Sequence, residues 1–124
     1  MFESLDLFQT SAALARHAGH RQAAAAINVA NADTPGFRAQ SVEPFSAAYG
    51  ADAMRATRSG HLGGGGEASA APRLADAPGE ASPNGNNVSI EAEMLASVEA
   101  TRQHNQALAI WRHGLTVLRT SLGR

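Results

Sequence analysis

The chain has 124 residues and a mass of 12.8 kDa, with 10 arginines, no lysine, no cysteine, 11 acids and a formal net charge of −1. That leaves room for one small domain and rules out a disulfide framework or a cysteine-based metal site. The near-neutral balance and scattered arginines give no electrostatic case for nucleic acid or an anionic membrane. Hydrophobic residues make up 44% of the chain, but 27 residues are alanine and aromatics reach only 5%. Most of the apolar content is therefore methyl groups, and the monomer core is expected to be thin.

The predicted elements fall into three stretches. Residues 1–36 hold an N-terminal helix and the turn that ends it. From Ser4 to Asn31 there is no proline, Gly19 is the sole glycine and alanine abounds, which favours helix. A helix of about 28 residues is about 40 Å long. Ser4 is its expected N-cap, with Asp6 in the first turn. Leu7, Leu14, Ala18 and Ala25 recur at helical spacing as its packing stripe. Asn31 and Asp33 tolerate left-handed backbone, and Pro35-Gly36 suits the centre of a type II turn, so the helix should stop there.

Residues 37–86 read as a flexible insert. Apart from Pro35, all the prolines lie here, around the run Gly63 to Gly66; such a composition buries too little to order itself. Ser82-Pro83-Asn84-Gly85-Asn86 is a turn signal that returns the chain to order. Residues 87–124 form the C-terminal helix, capped by Ser89, with Glu91, Glu93 and Glu99 early and Arg112, Arg119 and Arg124 late, the order a helix dipole prefers. Met94, Val98, Thr101, Asn105, Leu108, Trp111, Leu115, Leu118 and Leu122 step by three or four as a coiled-coil-like seam. The expected fold is all-α: two long terminal helices pairing as an antiparallel hairpin in one domain. Two alanine-rich helices make a weak core, so assembly with neighbouring subunits is the natural source of further burial, with Trp111 anchoring the pair or an intersubunit contact.

No constellation points to chemistry. His17 and His20 share a helix face, but no third ligand falls near them. His104, His113 and His61 are dispersed, and no serine sits in a nucleophile elbow. The Gly63 to Gly66 run lacks the Lys-Ser/Thr that a phosphate loop carries, and Arg55, Arg58 and Arg73 are interrupted by Glu67 and Asp76. The sequence predicts no enzyme activity, cofactor, metal, nucleic acid or small-molecule substrate. Glu3 and Asp6 stand where a secretory signal carries positive charge, and no apolar window of about 18 residues spans a membrane. A cleaved signal peptide is therefore not expected.

The informative motif is Asn28-Val29-Ala30-Asn31-Ala32-Asp33-Thr34-Pro35-Gly36-Phe37, a helix end, a tight turn and an aromatic just outside it. It resembles the N-terminal signature of the flagellar axial proteins, the rod, hook and hook-associated subunits. Asn84-Gly85-Asn86-Asn87-Val88-Ser89-Ile90-Glu91 resembles the Asp-Gly-Asn-Thr-Val-Asp-Met-Asp stretch of proximal-rod members, and Thr57 to Leu62 their short Thr-rich segment. Ile27, Phe37 and Asn84 stand where these proteins usually have serine, tyrosine and aspartate. The likeness covers both helical ends and not the stretch from Gly63 to Ala81.

The resemblance implies a structural subunit of the periplasmic rod in the bacterial flagellar basal body, between the membrane ring and the distal rod. It implies other rod subunits, the ring-side adaptor FliE and the flagellar type III export gate as partners, and export without a cleaved signal peptide. Phe45-Ser46-Ala47-Ala48-Tyr49 looks like the hydrophobic export-gate element of early substrates, or else a minor packing cluster. Two other readings stay open at this point, a sister proximal-rod protein and a cytoplasmic helical export chaperone or adaptor.

Overall fold

The computed structural model describes residues 2–51 and 72–123, with side chains over 6–48 and 72–123. In chain order the elements are a helix α1 (Phe2–Ala30), a strand β1 (Gln40–Val42), a short helix α2 (Phe45–Ala51), a strand β2 (Leu74–Asp76) and a helix α3 (Ile90–Ser121). The expectations for Arg55, Arg58, Thr57 to Leu62, Gly63 to Gly66 and Glu67 lie outside the described residues.

The two long helices pack against each other, and their contacts run in opposite order along the chain. Phe8 meets Trp111, Ala15 meets His104, and Arg21 meets Gln103 and Glu99. The pair is therefore an antiparallel helical hairpin. Ser89 caps α3 as its sequence predicts, with extended backbone and its hydroxyl accepting from the Ala92 amide, which satisfies one of the orphan donors of the first turn. At the other end of the chain the expectation is corrected: α1 begins at Phe2, so Ser4 lies inside the helix and is not its cap.

The line of closest packing also differs from the seam expected in α3. The residues buried there are Ala100, Ala107 and Gly114, spaced by seven, while Met94, Val98 and Leu122 are 62%, 56% and 78% exposed. On α1 the expected stripe fares better: Ala18 and Ala25 are buried, as is Ser11, Leu14 is half-buried, and Leu7 is exposed. Small residues on both sides let two helices approach closely, and that closeness leaves no room for a leucine in the line. Ser11 carries no penalty in this setting because its hydroxyl donates back to the Phe8 carbonyl.

A second face of α1 turns toward the strands and α2. Ala13, His17, Ala24 and Asn28 are buried on it. His17 sets its Nε2 2.8 Å from the Glu43 carbonyl, and its ring meets Phe45 edge-on. The expectation of a flexible insert over residues 37–86 is corrected at β1, α2 and β2, which are regular elements. The two strands form an antiparallel ribbon that pairs Gln40 with Asp76, Ser41 with Ala75 and Val42 with Leu74.

Candidate assembly site

Two features stand out: a junction of turns at one end of the hairpin, and an apolar stripe along α3. The junction starts where α1 stops. Thr34 to Phe37 form a β-turn closed by the Phe37 amide on the Thr34 carbonyl at 3.2 Å, with Gly36 at φ +73°. Proline at the second position and a positive-φ glycine at the third are what a type II turn requires. Asn31 reinforces it, donating through Nδ2 to the Ile27 carbonyl and accepting from the Thr34 hydroxyl.

Onto this turn folds the second motif, from a distant part of the chain. Asn86 is buried, and its Nδ2 donates to the carbonyls of Asn31, Ala32 and Thr34 at 2.9, 2.9 and 2.8 Å. Carbonyls at the C-terminus of a helix lack intrahelical partners and carry the negative end of its dipole. One amide group, from a residue that follows β2 in the chain, therefore caps the end of α1. The Asn86 Oδ1 accepts from the Val88 amide at 2.7 Å, which steers the chain toward α3. Gly36 donates its amide to the Asn84 carbonyl at 2.9 Å. Gly85, at φ +84°, sits so close that a Cβ on it would stand 3.3 Å from the Gly36 Cα.

Two more asparagines complete the junction. Asn28 is fully buried and exchanges both hydrogen bonds with the backbone of Gln40, at 2.8 and 3.0 Å. Its side chain thus takes the place of a neighbouring strand on the free edge of β1. Asn87 accepts from the Ala39 amide at 2.6 Å and donates to the Ala77 carbonyl at 3.1 Å, bridging the ends of both strands. The Ala77 amide in turn donates to the Ala39 carbonyl. Both outward backbone groups of Gln40, and the Ala39 amide and Ala77 carbonyl that flank the strands, are in this way satisfied by side chains from α1 and from the turn before α3.

Of the signature residues, Asn28 and Asn31 hold the junction by side chain, and Ala32 and Thr34 by carbonyl. Ala30, Asp33, Pro35 and Gly36 lie exposed around it, and Phe37 is half-buried, its carbonyl accepting from the Asn87 amide. The sequence motif includes Asn86 and Asn87 without indicating what they do. Their sign was the run of asparagines at 84, 86 and 87 in a turn, since this side chain presents a donor and an acceptor side by side and can pair with a whole peptide group.

Along α3, Met94, Thr101, Leu108, Leu115 and Leu122 recur every seven residues, one position after Glu93, Ala100, Ala107, Gly114 and Ser121. The two lines stand about 100° apart around the helix. Ala100, Ala107 and Gly114 of the first line are buried, while Met94, Leu115 and Leu122 of the second are exposed, flanked by Val98 and Leu118. Leu108 is half-buried, Leu115 and Leu118 are each 36% exposed, and Trp111 bridges the two lines. Its ring meets Phe8 edge-on with centroids 4.8 Å apart, a geometry worth about 0.5–1.5 kcal/mol beyond area burial. Phe8 in turn lies over Gly114, where a Cβ would come within 3.0 Å of the ring.

Phe45 opens α2 and is half-buried against His17, so the expected open loop at this point is a helix; Tyr49 belongs to the same helix, and its side chain lies outside the described residues. Among the described residues, no three His, Asp or Glu side chains gather as a metal site, and no helix is long and apolar enough to cross a membrane. No model of a known protein family matches the chain, and no curated protein matches it significantly.

Proposed function

We propose that the chain is a structural subunit of the bacterial flagellar basal body, a proximal-rod protein of the FlgB type that links the membrane ring to the distal rod and transmits torque. The observation that carries this is the junction. The two motifs that resemble rod proteins, 28–37 and 84–91, lie about half the chain apart in sequence, yet the Asn86 amide ties them together on the end of α1. A rigid corner between a long helix pair and the excursion that follows is a suitable mechanical element for a subunit that must pass torque without bending.

The outward line of α3 supports the same reading. Met94, Leu115, Leu118 and Leu122 form an apolar stripe on a hairpin whose own packing is mostly alanine and glycine. In this proposal the stripe is covered by neighbouring rod subunits, either copies of this chain or sister proximal-rod proteins, and at the ring side by the FliE adaptor. Phe45 and Tyr49 serve earlier, as an export-gate element read while the chain is still unfolded, before Phe45 docks on His17. The subunit then works in the periplasmic rod, without a cofactor or substrate.

Basal bodies purified from cells carrying an epitope-tagged chain test the proposal. The tag is expected in the rod fraction, in several copies per basal body. A tag that stays in the cytosol bound to another export substrate would replace the rod reading with an export chaperone.

A further inference from the structure

Asn84-Gly85 is the one asparagine-glycine step in the chain. We propose that Asn84 is a spontaneous deamidation site, held closed by the junction and opened when the junction opens. In this reaction the Gly85 main-chain nitrogen attacks the Asn84 Cγ. The C–N bond to the side-chain amide breaks, ammonia leaves with the proton given up by Gly85, and a succinimide ring remains. Water then opens the ring at either carbonyl, giving aspartate or isoaspartate. Glycine presents no side chain to hinder the attack, whereas Asn28, Asn31, Asn86, Asn87 and Asn105 precede valine, alanine, asparagine, valine and glutamine.

In the folded junction three groups at that step are engaged. The Gly85 amide donates to the Ser82 carbonyl at 2.7 Å, so the nitrogen that must lose its proton is tied down. The Asn84 Oδ1 accepts from the Asn86 amide at 3.0 Å, which holds the carboxamide in an Asx turn and restrains its rotation. The Asn84 carbonyl accepts from Gly36 at 2.9 Å, which stops the peptide unit from rotating. Cyclisation requires all three to release together, so conversion proceeds through local opening.

The two products differ in what they do to the junction. Aspartate keeps an oxygen where the Asn86 amide needs an acceptor. Isoaspartate lengthens the main chain and displaces Gly85 from its close seat on Gly36, a contact of 3.3 Å for any added Cβ. An opened and aged subunit therefore loses its corner, while one that stays folded keeps it.

The test follows ammonia release and the amide-to-acid mass change at Asn84 in the intact chain and in a synthetic peptide of residues 80–89. The peptide gives the rate of the open sequence. In an osmolyte that favours the compact state, the intact chain is expected to convert at least about tenfold more slowly than the peptide, and in urea to approach it. The Asn84→Asp variant is expected to keep the helicity and melting midpoint of the parent, and chain enriched in isoaspartate to melt earlier. Equal rates for peptide and intact chain in osmolyte, or another asparagine converting ahead of Asn84 in urea, would overturn the proposal.

Discussion

The side-chain amide of Asn86 caps the Asn31 carbonyl at the end of a helix 55 residues earlier in the chain, at 2.9 Å. The same amide also serves Ala32 and Thr34, so its removal takes a donor from three carbonyls at once, of which those of Asn31 and Thr34 keep the Thr34 and Phe37 amides, and takes the acceptor from the Val88 amide. Asn86→Ala is expected to cost about 1–3 kcal/mol. Asn86→Asp is expected to cost more, because a carboxylate turns lone pairs toward three carbonyls at the negative end of α1. Urea midpoints of the two variants against the parent check the order, and an Asp variant as stable as the parent would remove the cap from the account.

Gly36 and Gly85 both have positive φ but differ in surroundings. Nothing lies within 4 Å of a Cβ on Gly36, whereas one on Gly85 meets the Gly36 backbone at 3.3 Å. Gly36→Ala should therefore cost only the left-handed strain, about 1–2 kcal/mol. Gly85→Ala should cost that and a backbone clash besides. Equal melting midpoints for the two variants would mean the turns do not touch.

Gly114→Val should drive Phe8 off its seat and break the edge-on contact with Trp111. The expected loss is about 1–3 kcal/mol, as for other overpacked sites. Trp111 is the chain's sole tryptophan, so its fluorescence reports the change directly. An unaltered emission spectrum would place Phe8 elsewhere.

Met94→Asp and Leu115→Asp probe the outward stripe. Met94 is well exposed, so Met94→Asp is expected to shift the stability of the isolated chain by no more than about 0.5 kcal/mol. In cells both variants are expected to express and yet fail to support motility, since a charge would be buried without a partner on assembly. Full motility with either variant would free the stripe of an assembly role.

Phe45→Ala separates export from assembly. Secretion of the variant is expected to fall, with the protein accumulating inside the cell, while purified variant binds rod subunits as the parent does. Normal secretion together with weakened binding would assign Phe45 to packing against His17 alone.

The sequence made the long helices legible because alanine, the absence of proline and the Ser89 cap all act locally, and Thr34-Pro35-Gly36 specifies its turn through backbone preference alone. The ribbon was not legible. Strands of three residues carry no pattern, and here their edges are completed by Asn28 and Asn87, which lie 12 and 48 residues from their partners in β1 and its approach. The seam of α3 was misplaced by one helical position because the large side chains drew the pattern. Close helix approach selects the smallest residues, so Ala100, Ala107 and Gly114 form the packed line and the leucines remain for the outside. A heptad of small residues beside a heptad of large ones is itself readable, as two faces with different partners.

The most direct measurement uses the absence of native cysteine. A single cysteine at Leu115 is to be labelled with a maleimide in the isolated chain and in purified basal bodies. Ready labelling of the free chain is expected, and protection within the basal body if neighbouring subunits cover the stripe. Equal labelling in both states, or a chain missing from the basal body altogether, would contradict it.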